Sequence, residues 1–219
     1  MSTFYFKKIP PYVLERMVAV REPVDNLWNV LVVVEAINCD PYYSPTADDN
    51  NFDLALFTQN CQRFLVKKAD GYFSMSNPFH VIVQGDVISF NCDQLQERVG
   101  GMLVSILKNA ITTFKHDGHS HENIIVSLSE NFGLDIQESI RYYDTFASLI
   151  SEEHGYFRFD DDDVNANGHI HPRYHFDIFC TNSSALKVGT TRVDEIDYFL
   201  SLADKTVEKK YLADSSQVL

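Results

Sequence analysis

Residues 163–187 gather His171, Arg173, His175, Asp177 and Lys187 into what reads as one hairpin. Together these side chains are sufficient for phosphoester hydrolysis. A histidine can move a proton, an aspartate can orient it, and Arg173 or Lys187 can stabilise the charge developing on a phosphate. Strand alternation places Tyr174, Phe176 and Ile178 on an apolar face and Arg173, His175 and Asp177 on a polar one. Carried back across Pro172, the same alternation adds His171 to the polar row, with successive members about 6.6–6.8 Å apart. Two neighbours in such a row can share a metal ion, but its two ends cannot meet without a bend, so the metal content stays open.

The returning strand is expected to turn Leu186 and Val188 toward the core shared with Phe176 and Ile178. A three-residue loop at 182–184 meets that parity and sets Lys187 opposite Phe179 and diagonal to Asp177, on the polar face. Upstream, Asp163, Asn165, Asn167, Gly168 and Ile170 fall at the spacing that opens an EF-hand calcium loop. Position twelve is Tyr174, where that loop needs a bidentate Glu, so the stretch reads first as an Asn-Gly turn after the acidic residues 160–163. A second group, His116, His119 and His121 with Asp117, has the irregular spacing of exposed, unliganded histidines.

Nothing beyond this local density points to catalysis. The chain carries no G-x-S-x-G elbow, P-loop, H-E-x-x-H or paired-cysteine motif. The favoured reading is therefore a non-catalytic binding or regulatory protein. Its acidic surface and polar strand face would engage a partner protein or a small ligand. A phosphoester hydrolase or nuclease is the alternative.

The elements that must position these residues are read from periodicity. An extended segment opens the chain at 3–12, and a helix is expected at 24–37, where a run of valines also suits a buried strand. Residues 41–51 have loop composition. An amphipathic helix is expected at 52–68, then a hairpin turning at Gly85 and Asp86. The longest helix is expected from Asp93 to Phe114 with a capping box at Asp93 and Gln96 and an internal Gly100-Gly101 pair. Helices at 122–131 and 135–153 follow, the second with a capping box at Asp135 and Glu138. Strands at 156–159, 173–180 and 186–190, a helix at 193–212 and a frayed tail at 213–219 complete the pattern. The sum is one globular domain of α+β class, a helical body packed on a small, mainly antiparallel sheet.

With 219 residues, 45% of them hydrophobic, the chain can bury a substantial core. Its net charge of -13 repels nucleic-acid phosphates. The helix-turn-helix-like pair at 122–153 argues against duplex DNA as well, because its second helix presents Asp135, Glu138, Asp144, Glu152 and Glu153 against Arg141. Four cysteines, Cys39, Cys61, Cys92 and Cys180, lack zinc-site or redox spacing and are expected to be reduced. Without a long apolar run or a signal-peptide pattern, the expected location is cytoplasmic and away from membranes.

Overall fold

The computed structural model describes residues 3–44, 51–58, 61–152, 155–168, 170–178, 187–190, 196–204 and 206–208. Its chain contacts divide into two compact units, Met1–Ile9 with Tyr43–Asn77 and His154–Leu219, and Pro10–Tyr42 with Pro78–Glu153.

The first unit is built on a seven-stranded antiparallel sheet. Its strands are β1 (Thr3–Phe6), β2 (Leu54–Phe57), β3 (Arg63–Lys68), β4 (Gly71–Ser76), β8 (Phe157–Asp161), β9 (Tyr174–Ile178) and β10 (Lys187–Gly189), neighbours in that order. The α+β class holds, but this sheet is larger than the small one expected. The expected helix at 52–68 is instead the β2–β3 hairpin, with Leu56 paired to Phe64 and Leu54 to Val66. β2 is buried on both faces, as are residues 64–66 in the middle of β3, and a strand with no wet face loses its two-residue period. Its continuous apolar run then imitates a helical stripe. The Asp70-Gly71 signal is real, but it turns β3 into β4. Gly71 has φ +148, and a Cβ there would stand 2.0 Å from the Phe159 carbonyl oxygen, so glycine alone lets β4 lie against β8.

One face of this sheet carries an aromatic core. Phe52, Ala55, Phe57, Leu65, Phe159 and Phe176 bury against Tyr198 and Phe199 of helix α6 (Ile196–Ala203). The helix expected at 193–212 ends at Ala203, since residues 204 and 206–208 are not helical, and its expected start at 193 lies outside the described residues. The opposite face is apolar through Phe64, Val66, Phe73 and Met75, then turns polar where β8 and β9 pair.

The second unit holds α1 (Pro11–Leu14), α2 (Pro23–Cys39), the three-stranded sheet β5 (His80–Gln84), β6 (Val87–Cys92) and β7 (Glu97–Arg98), and helices α3 (Gly101–His116), α4 (His121–Phe132) and α5 (Ile136–Ser151). The valine run at Val30–Val34 is helical. α2 buries nearly all round, and Glu22 and Asp25 form a capping box at its start with Pro23 in the first turn. The Gly85-Asp86 hairpin forms as expected, with Gly85 at φ +63. The helix expected from Asp93 starts eight residues later, at Gly101. Gln96 adopts φ +56 in a turn, β7 follows, and Gly100 is the extended N-cap of α3. The glycine pair thus marks a boundary and not an interior. α5 begins with the expected box, the Glu138 amide donating to Asp135 Oδ1 at 2.8 Å and the Asp135 amide to Glu138 Oε2 at 3.2 Å. Gly133, at φ +65, ends α4. No helix among the described residues is long and apolar enough to cross a membrane.

Candidate functional site

The polar face of β9 is assembled by its pairing with β8. Register sets Arg158 opposite Asp177 and Asp160 opposite His175, so four chemically active side chains meet in two cross-strand pairs. Phe157 and Phe159 alternate with them and anchor β8 in the aromatic core. Arg158 donates from Nε to Asp160 Oδ2 at 2.7 Å and from Nη2 to Asp177 Oδ2 at 2.5 Å. Burial works against the Arg158 charge, but Asp160, Tyr156 and Asp177 more than restore it and raise its pKa above the usual arginine value. Tyr156 lies beside them, 7% exposed, with its phenol pushed up to about 12 chiefly by burial.

His175 is fully buried. Its Nδ1 lies 2.8 Å from the Pro172 carbonyl oxygen. A carbonyl only accepts, so Nδ1 carries the proton of that bond and Nε2 is the nitrogen turned toward the carboxylates. Nε2 stands 3.6 Å from Asp160 Oδ2 and 3.9 Å from Asp177 Oδ1. The Pro172 ring that holds this carbonyl packs over Gly189, where a Cβ would come within 3.0 Å of Pro172 Cγ.

Of the residues singled out in the sequence, His175 and Asp177 meet in this cluster. His171 does not continue the strand. It bridges to Asn167 across the turn, and its ring stands edge-on to His175 at 4.9 Å. Its Nε2 lies 3.2 Å from Asp162 Oδ2 but outside hydrogen-bonding geometry. Arg173 sits at the exposed rim, its Nε 2.7 Å from Asp161 and its Nη1 2.9 Å from Asp163. Lys187 pairs directly with Asp177, two residues from the expected partner Phe179, while Val188 pairs with Phe176. Val188 thus shares the face of Phe176 as expected, in a register two residues from the expected one. Phe179, Cys180 and the loop at 182–184 lie outside the described residues.

The calcium-like stretch is a turn. Asp162 accepts from the Asn165 amide at 3.0 Å, Gly168 takes φ +49, and Asp163 is engaged by Arg173. The Asn165 amide and side chain, with His171 nearby, hold the Asp162 carboxyl below its ordinary range. His116, His119 and His121 belong to the second unit and are exposed. His119 stacks on Phe114 with centroids 4.1 Å apart, and His121 approaches Glu122 at 3.2 Å.

Arg158 and Asp160 went unnoticed in the sequence. The alternation of Phe157, Arg158, Phe159 and Asp160, folded back about the Asn167-Gly168 turn, places both beside His175 and Asp177. Comparison of the chain with protein-family models, curated proteins and solved structures finds no match.

Proposed function

We propose that the protein is a non-catalytic binding or regulatory protein that engages a partner protein or a small ligand through its acidic surface and the polar face of the β8–β9 pair. The observation that carries this reading is the commitment of both arginines. Arg158 is clamped between Asp160 and Asp177, and Arg173 between Asp161 and Asp163. A guanidinium that stabilises a phosphoryl transition state must point its N–H fork at the substrate, and carboxylates that fill the fork compete directly with phosphate. Paired charges held by cross-strand register instead present a fixed pattern of polarity, which suits recognition and selects partners by charge. A net charge of -13 favours a basic partner surface. The test is hydrolysis of a generic phosphodiester such as bis(p-nitrophenyl) phosphate by the purified protein and by His175→Ala, together with identification of what co-purifies. The binding reading expects equal, background-level hydrolysis from both proteins. Turnover that disappears in the variant overturns it in favour of the hydrolase.

A further inference from the structure

We propose that Asp160, His175 and Asp177 form a binding site for one divalent transition-metal ion of the zinc class. One ligand atom from each of the three residues lies within 4.8 Å of the others. The imidazole nitrogen is 3.6 Å and 3.9 Å from its two carboxylate neighbours. Zinc bonded tetrahedrally to nitrogen and oxygen at its usual lengths sets ligand atoms roughly 3.3–3.4 Å apart. Small side-chain rotations close the histidine–carboxylate gaps of 3.6 Å and 3.9 Å, and the two carboxylates, whose ligand oxygens lie within 4.8 Å, swing together onto the ion.

The second observation is the anchoring of the imidazole. A metal-ligating histidine characteristically donates its other ring N–H to a carbonyl or carboxylate, which fixes the tautomer and aims the remaining nitrogen at the ion. Nδ1 of His175 does this with the Pro172 carbonyl at 2.8 Å. Gly189 lets the Pro172 ring pack close, so the anchor is built into the β9–β10 pair. The Arg158 hydrogen bonds to Asp160 and Asp177 then play the orienting part that ligating carboxylates receive from their surroundings. The two carboxylates outweigh the guanidinium by one charge, so the cluster still attracts a cation. One imidazole with two carboxylates suits zinc, cobalt or manganese better than calcium, which takes six to eight oxygens. The site is therefore distinct in chemistry from the Asp163–Ile170 spacing that resembles a calcium loop. It goes beyond the binding reading, since it requires neither turnover nor a partner.

The test is titration of chelator-stripped full-length protein with Zn²⁺ by calorimetry and with Co²⁺ by visible absorption. The expected result is saturation at one equivalent that excess Ca²⁺ does not displace. Asp177→Asn should weaken binding at least about tenfold, whereas Asp163→Asn should leave it unchanged. Because His175 is buried and its replacement could unfold the protein, the wild type supplies a readout that needs no variant. Zn²⁺ should raise its Tm in a dose-dependent way, and the His175 Nε2 resonance should shift at one equivalent. Any of three results overturns the site: no saturable binding at millimolar Zn²⁺, undiminished binding by folded Asp177→Asn, or saturation without a shift at Nε2.

Discussion

Replacing Arg158 by leucine removes a guanidinium that joins β8 to Asp177 of β9 while leaving the carboxylates in place. Two charge-assisted hydrogen bonds disappear, each worth about 1.5–3 kcal/mol when its partner stays desolvated. The carboxylates are not sealed. Asp160 and Asp177 keep 15% and 25% of their side-chain surface, so water recovers part of the loss. We therefore expect roughly 2–3 kcal/mol of destabilisation, below the 3–5 kcal/mol range typical of breaking a fully buried pair. The assay is urea denaturation of wild type, Arg158→Leu, Asp177→Leu and the double variant. The single changes should be strongly non-additive, with a coupling of about 1–2 kcal/mol, because both substitutions remove the same Arg158–Asp177 hydrogen bond. A loss under about 0.5 kcal/mol for Arg158→Leu, or strictly additive single variants, would refute the clamp.

Gly71→Ala should cost about 3 kcal/mol or more and disturb the β4–β8 pairing, seen as faster amide exchange at Phe157 and Phe159, because the added Cβ meets the Phe159 carbonyl oxygen at 2.0 Å. In the second unit, burial raises the Asp25 pKa, but Lys115 and the Arg21 and Glu22 amides more than offset it, leaving it below 3.8. A lowered carboxyl pKa contributes stability above its unfolded value and loses it as pH falls through the folded one. Asp25→Asn should therefore cost about 1–2 kcal/mol at pH 6, with the gap from wild type closing toward pH 2 in denaturant titrations. Tyr156 should give a late phenolate step near 12 in a 295 nm titration, absent from Tyr156→Phe. Its raised pKa stabilises the fold below the ordinary value of 10.0, and that stability is lost as pH rises through about 12.

Legibility followed how much of each element's pattern depends on its own residues. The Asp135 capping box and the alternation of Tyr174, Phe176 and Ile178 against His175 and Asp177 are local, and both formed where expected. The β2–β3 hairpin imitates a helix in sequence because β2 and the middle of β3 are covered on both faces, a tertiary fact that erases strand periodicity. Gly100 and Gly101 look like helix interior in the sequence but begin the helix, since Gln96 at positive φ breaks the apparent capping box. Half of the candidate site was visible as the β9 row. The other half, Arg158 and Asp160, becomes apparent only through cross-strand register, which depends on a turn longer than the Asn167-Gly168 pair itself. The two-residue difference in Lys187 pairing has the same origin, a loop whose length fixes register while strand parity fixes only the face.

The most direct test of the binding account is steady-state hydrolysis of bis(p-nitrophenyl) phosphate by wild type and His175→Ala, each measured with and without Zn²⁺ and checked for folding by circular dichroism. The account predicts rates at buffer background for both proteins in both conditions. Turnover by wild type that vanishes in the folded variant would contradict it.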